Sequence, residues 1–331
     1  MKVLDLFCGA GGFSAGLRMA GLQPSIGVDI EDDALETYAR NFRGAIAIDA
    51  DVSKRSEQDR IIALARERRV EVVVGGPPCQ GYSGLNNHRN TNEKYQKMNQ
   101  LPLAFVRIAI AVRPKVVIME EVKTVDHAML DDVERRLRRA GFNQVERRVL
   151  NSKDYFVPQS RNRMFLIATR SDFADGSLIP LPATTEAVTV REALSMHPLC
   201  AHGPKVTTNN AKWIAMRETH DKKTGKDVLT GVKPNWHVAA YGVLRIDKPA
   251  PTITTNALSA GSGRFTIQRG HDYYAMSEQE AARLQSFPPS FEFIGKRRSV
   301  YRQIGNSVPP LLAYHVGKQI KQACSYTVRK Q

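Results

Sequence analysis

Asp5-Leu6-Phe7-Cys8-Gly9-Ala10-Gly11-Gly12 is the stretch whose reading decides the fold. Val3–Phe7 has the apolar pattern of a buried strand and runs straight into a glycine turn that opens a helix. Working outward, Ser25–Ile30 is a second apolar run and ends in an acid. Val70–Val74 is a third, stopped by Gly75-Gly76-Pro77-Pro78, and Lys115–Met119 is a fourth that ends at Glu120. Helix-prone stretches at residues 57–69 and Leu103–Val112 lie between them. Strands alternating with helices imply right-handed crossovers, hence an α/β, Rossmann-like, mostly parallel sheet with helices on both faces. Ligands gather beyond the carboxyl ends of such strands. Cys8–Gly12, Asp29, Gly75–Ser83 and Glu120 all fall there.

The glycine turn sets the ligand class. Glycines permit positive φ and let a ligand lie against bare backbone, while helix-start amides favour an electron-rich group. Asp29 follows about 20 residues on, the position from which a carboxylate accepts ribose hydroxyls. The third glycine of G-x-G-x-x-G is replaced by Ser14, which breaks the dinucleotide fingerprint. An adenosine cofactor with a short tail therefore fits better, S-adenosyl-L-methionine ahead of NAD, with a tight turn and a structural Asp as the plain alternative.

Composition narrows the rest. The chain has 331 residues, 42% hydrophobic and 24% charged, a mix that excludes a disordered protein. No run approaches the length of a membrane helix; Val112–Met119 is short and carries Arg113 and Lys115. Met1-Lys2-Val3-Leu4-Asp5 meets an acid too early for a secretory leader. Four scattered cysteines suggest neither a zinc knuckle nor a disulfide framework, and a reducing interior fits them. Lys and Arg number 48 against 33 Asp and Glu, a net charge of +15 that points to a polyanionic partner, nucleic acid first. After about residue 185 the pattern changes. Residues 199–275 are rich in Thr, Asn, Gly and His with a basic excess, and read as a smaller, loop-rich lobe. Helical character returns from Ser277, and Pro309–Ala323 reads as a last helix returning to the first lobe.

The sharpest signal is Gly75-Gly76-Pro77-Pro78-Cys79-Gln80-Gly81-Tyr82-Ser83. Prolines stiffen the chain before Cys79 and Gly81 loosens it after, placing a thiol on a loop able to close over a substrate. Glu120 ends a neighbouring strand, and Gln159-Ser160-Arg161-Asn162-Arg163 spaces two arginines to project to one side of an extended segment.

These residues resemble, in order along the chain, the cytosine-5 DNA methyltransferases of bacterial restriction–modification systems. Glu280-Ala281-Ala282-Arg283-Leu284-Gln285-Ser286-Phe287-Pro288 and Gly305-Asn306-Ser307-Val308-Pro309-Pro310 extend the match. The resemblance implies an S-adenosylmethionine-binding catalytic domain over residues 1–185, completed by 300–331, and a smaller target-recognition domain over 186–299. It implies catalytic roles for Cys79 (nucleophile), Glu120 (acid at the base edge), Arg163 (base contact) and Arg161 (support of the loop or a phosphate). Cofactor contacts are carried to Phe7, Cys8, Gly9, Ala10, Gly11, Gly12, Asp29, Ile30, Asp51, Val52, Asn306, Ser307 and Val308. Plain core is an equal reading of Ile30 and Val52. The expected partner is double-stranded DNA, with any cognate restriction endonuclease a separate protein. The enzyme is expected to be monomeric and cytoplasmic, or nuclear if eukaryotic, and to hold no metal. The family usually has Asn where this chain has Glu121, which either raises the pKa of one of two adjacent carboxyls or points elsewhere.

Competing readings are a tRNA-methylating enzyme of the same family and a DNA-binding accessory protein with a dead site. The tRNA branch carries Cys-Phe-Thr in its recognition segment, whereas Cys200 here is followed by Ala201-His202. Arg135, Arg136, Arg138 and Arg139 read as a solvated helix face. His202, His220, His237 and His271 lack metal-ligand spacing, and Trp213 and Trp236 are at least as well explained as core anchors.

Overall fold

The computed structural model describes residues 1–78, 100–173, 176–196, 202–224, 241–257, 263 and 265–329. Five parallel strands form most of its large sheet: β1 (Lys2–Leu6), β2 (Gln23–Asp29), β3 (Ile46–Asp49), β4 (Val72–Gly75) and β5 (Val116–Val122). The hairpin of β6 (Gln144–Asn151) and β7 (Asn162–Thr169) joins β5 with β7 antiparallel, giving the order β3-β2-β1-β4-β5-β7-β6. The expected sheet is present, and its mixed edge is new.

Helices cover both faces because the central strands are apolar on both sides. On one face α1 (Gly12–Met19) and the terminal α10 (Pro310–Arg329) pack Phe13, Leu17, Leu312 and Val316 onto Val72, Val74, Val116 and Ile118. On the other, α3 (Arg55–Glu67), α4 (Leu101–Val112) and α5 (His127–Arg139) bring Ile61, Phe105 and Leu130 against Leu4, Val73 and Val117. Between β2 and β3, α2 (Asp32–Asn41) buries Leu35 and Tyr38 against Cys8 and Ala15. Asp126 caps α5 by accepting from the Ala128 amide at 2.7 Å. The arginine run on α5 is a solvated face: Arg135 and Arg136 pair with Asp132, and Arg138 with Glu134 at 2.8 Å.

A separate core gathers Val190, Leu244, Ile253, Phe265, Met276, Leu284, Tyr301 and Ile304. It includes α6 (Val190–Ser195), β8 (Thr266–Arg269), α8 (Glu278–Leu284) and α9 (Arg297–Asn306), with β9 (Asp272–Ala275) paired antiparallel to β8. Here α7 (Thr208–Thr224) departs from the loop-rich expectation. Its Thr, Asn and Lys residues give little apolar periodicity, although Ile214 and Arg217 are buried.

Candidate active site

β5 carries Glu120 one residue beyond the run read from sequence, because pairing with β7 prolongs the strand to Val122 opposite Arg163. Side chains alternate along a strand, so Glu120 shares the face of Val116 and Ile118 while Glu121 shares that of Val117 and Met119. Arg163 projects to the Glu120 side, and its Nε lies 3.0 Å from Glu120 Oε1. The carboxyl is 8% exposed. Burial pushes it above the usual carboxylate range, against the downward pull of Arg163 and Arg161. Such a group can hold a proton and give it up beside a guanidinium. Glu121, on the opposite face of β5, is not among the groups acting on it.

Gly76 presses against this carboxyl. A Cβ there would lie 2.9 Å from Glu120 Oε2, so any side chain at this position would push the carboxyl aside. Cys79 and Gln80 lie outside the described residues.

Arg161 is 2% exposed and works as a tie. Its two terminal nitrogens donate to the carbonyls of Ile253 (3.1 Å) and Gly305 (2.8 Å). Burial, helped by Arg163 and opposed by Glu120, lowers its pKa to about 9. Gln159 and Gln285, both 0% exposed, complete the tie. The Ile253 amide donates to Gln159 Oε1 at 2.9 Å, Gln159 Nε2 donates to Gln285 Oε1, and Gln285 Nε2 donates to the Ser307 carbonyl at 2.7 Å. The sequence motifs contained both glutamines but gave no sign of their task.

The glycine loop lies at the same sheet edge. Phe7 and Gly9 take φ values of +57° and +52°, and a Cβ on Gly9 would enter open space. Gly11, at φ +91°, precedes α1. Asp29 Oδ2 accepts from the Gly9 amide at 2.8 Å, and Oδ1 accepts from the amides of Ile30 and Glu31 at 2.8 and 3.1 Å. With two lone pairs on each oxygen, one acceptor position is left for a ligand hydroxyl. Ile30 is 61% exposed, an apolar side chain facing out, while Val52 is 4% exposed within the core. Asp51 Oδ1 accepts from the Ser53 amide at 3.0 Å. Cys8 and Ala10 are buried; burial and the nearby Asp29 and Asp5 push the Cys8 thiol up, against use as a nucleophile. Ser307 and Val308 are buried beneath exposed Asn306, and a Cβ on Gly12 would lie 2.9 Å from Ser307 Cβ. An open glycine cradle, one free carboxylate position and an exposed aliphatic side chain fit an adenosine-bearing ligand.

α2 is latched from afar in a way the sequence did not signal. Asn41 Nδ2 donates to the Glu292 carbonyl at 2.7 Å, and Asn41 Oδ1 accepts from the Glu292 amide at 3.0 Å. The Ile294 amide donates to Thr37 Oγ1 at 2.8 Å. Among the described residues, no group of His, Cys, Asp and Glu could hold a metal ion, and no helix is long and apolar enough to cross a membrane.

Residues 1–322 match the family model described as C-5 cytosine-specific DNA methylase. The type II methyltransferase M1.HphI of Haemophilus parahaemolyticus is 31% identical, over 97% of this chain and 86% of the relative. M.XorII of Xanthomonas oryzae pv. oryzae, also a type II methyltransferase, is 31% identical over 97% of this chain and 84% of its own length. The crystal structure of the S. pombe Dnmt2 methyltransferase superposes with a TM-score of 0.69 at 18% identity, covering 97% of this chain and 99% of that one, a likeness of fold.

Proposed function

Because the chain belongs to the C-5 cytosine-specific DNA methylase family, we propose that it methylates carbon 5 of a cytosine flipped out of a specific duplex DNA sequence, with S-adenosyl-L-methionine as donor. The buried Glu120–Arg163 pair against Gly76, at the mouth of the Cys79 loop, is the observation that carries this reading.

Carbon 5 of cytosine is a weak nucleophile. Addition of the Cys79 thiolate to C6 makes it an enamine carbon, and a thiolate also leaves readily afterwards. Density pushed toward N3 needs an acid there. Glu120, whose carboxyl burial pushes above the usual carboxylate range, supplies that proton, and Arg163 both steadies the carboxyl and offers its guanidinium to the base O2. When bound, S-adenosylmethionine would supply an electrophilic methyl group to C5. The C5 proton then passes to a base such as water, and elimination of Cys79 restores the ring. Phe7–Gly12, Asp29, Ile30, Asp51 and Asn306–Val308 would hold the donor. Arg161 acts as a support, keeping the 250–257 segment and the end of α9 together. Target reading is assigned to residues 186–299. Flipping the base costs a few kcal/mol, and its vacated place is filled from Gln80 or that lobe.

Tritium from labelled S-adenosylmethionine should appear in duplex DNA and not with Cys79→Ala. DNA containing 5-fluorocytosine should trap a covalent complex through Cys79. Failure of both sinks the mechanism, and preference for tRNA in competition would replace the substrate. Bisulfite sequencing of plasmid from expressing cells gives the modified atom and the recognised sequence.

A further inference from the structure

Asp5 is a carboxyl group the chemistry above leaves unused. It lies on β1 two residues before the glycine loop and is 1% exposed. Ser14 Oγ donates to Asp5 Oδ2 at 2.7 Å, and the Tyr38 hydroxyl lies 3.0 Å from the same Oγ. Ser14 and Tyr38 are both 0% exposed. Tyr38 reaches this point because two neighbours lack side chains: a Cβ on Gly11 or Gly27 would come within 2.9 or 2.5 Å of its ring.

A serine hydroxyl carries one proton, so Ser14 can donate to only one of its two neighbours at a time, and the neutral carboxyl can accept from it or donate to it. With Asp5 ionised, Tyr38 donates to Ser14 and Ser14 to the carboxylate. With Asp5 protonated, the carboxyl can instead donate to Ser14, and Ser14 to the Tyr38 oxygen. Only the ionised carboxylate fixes the direction of the chain. The groups acting on that charge are Ser14, which favours it, and Asp29, which opposes it. The Cys8 thiol and the Tyr38 phenol lie near enough to feel Asp5 in turn, and the cation Arg18 acts on Tyr38. Burial dominates and holds the carboxyl near pH 7 rather than 4. The floor of the glycine loop therefore has an acid poised to ionise, and no cation acts on it among the described residues.

Building on the donor assignment above, we propose that Asp5 is a specificity residue through which the site distinguishes the cationic sulfonium donor from its neutral thioether product. A positive ligand against Phe7–Gly12 draws the proton from Asp5 to solvent and sets the chain in its Tyr38-to-Ser14-to-Asp5 direction. When the methyl has left, the sulfur is uncharged, Asp5 regains one proton, and the carboxyl no longer favours the ligand.

The test is isothermal titration calorimetry of the full chain with S-adenosylmethionine and with S-adenosylhomocysteine. Each titration is run at pH 6 and pH 8 in two buffers of different ionisation enthalpy. At pH 6 the donor should release about one proton more than the product. Its preference over the product should rise up to about tenfold between pH 6 and 8, the limit for one proton held near pH 7. Both effects should vanish in Asp5→Asn. Should that variant fail to fold, Ser14→Ala serves, since it keeps the carboxyl but removes its donor and should move proton release to higher pH. Equal release with both ligands, or a pH-dependent preference that survives Asp5→Asn, overturns the inference and leaves the donor assignment intact. Absence of binding by either ligand overturns both.

Discussion

The carbonyl oxygen of Val308 stands where a side chain on Gly12 would begin: a Cβ there would lie 2.5 Å away. The first turn of α1 and the α9–α10 junction touch backbone to side-chain-free backbone across almost the whole sequence. Gly12→Ala should force that junction outward at a cost of about 1–3 kcal/mol. The expected result is a lower thermal midpoint and a KM for S-adenosylmethionine raised about tenfold or more, with the KM for DNA little changed. Steady-state kinetics with each substrate varied in turn checks it.

Glu120→Gln should cut kcat by about a hundredfold or more, the usual worth of a positioned acid. Wild-type kcat should fall on the alkaline side, where the raised carboxyl loses its proton, and this limb should be missing from the residual activity of Glu120→Gln. Gly76→Ala should also slow the reaction by moving the carboxyl away from Arg163, while Glu121→Gln, on the other face of β5, should leave the alkaline limb in place. A pH–rate series on all four proteins tests this.

Arg161→Met should leave the Ile253 and Gly305 carbonyls without their donor inside the protein. Each buried acceptor left unsatisfied costs about 1–3 kcal/mol. Arg161→Lys can serve only one carbonyl well and should fall between the two. Denaturant unfolding measures the order, wild type above Lys above Met.

Asp5 gives a stability signature. Its folded pKa is about 7 against an ordinary 3.8, so between those values the folded chain holds a proton the unfolded chain has lost. Stability from this group is present below pH 3.8, falls as pH rises to about 7, and is flat beyond. The ionised carboxylate at pH 8 therefore costs on the order of 4 kcal/mol at most. Asp5→Asn should be more stable than wild type at pH 8, with a shallower decline between pH 5 and 7. Thermal melts across that range decide it.

Asn41→Ala should release the Glu292 backbone, remove three hydrogen bonds (two to Glu292 and one to the Thr37 carbonyl) worth about 1 kcal/mol each, and loosen α2 behind Asp29. Donor affinity should fall severalfold in direct binding, while 5-fluorocytosine trapping with saturating donor stays intact.

The parallel half of the sheet was legible because β1, β2, β4 and most of β5 are short, largely apolar runs ended by glycine or an acid. β6 was not, since Glu146, Arg147 and Arg148 interrupt it and its edge position lets them face water. Without β6 and β7, the length of β5 could not be read either. The resemblance put Glu120 and Arg163 in one site, and their side chains lie 3.0 Å apart, a contact that neither motif spells out. Arg161 could not be told apart from Arg163 by spacing; only burial separates a guanidinium that faces the carboxyl from one consumed by two carbonyls. Val52 illustrates the same limit, an apolar residue after an acid that the fold uses as core. The tie through Gln159 and Gln285 joins residues 126 apart, a pairing no local pattern contains.

The wall behind the glycine loop has a consequence for biosynthesis. Gly12 is covered by Val308, and Leu17 by Leu312 and Val316 of α10, residues translated almost 300 codons later. A nascent chain therefore emerges with its methyl-donor cradle open on one side, and it becomes competent only once α10 has left the ribosome and docked. A chain broken before Gly305 lacks Val308 and α10 and should therefore transfer no labelled methyl to DNA.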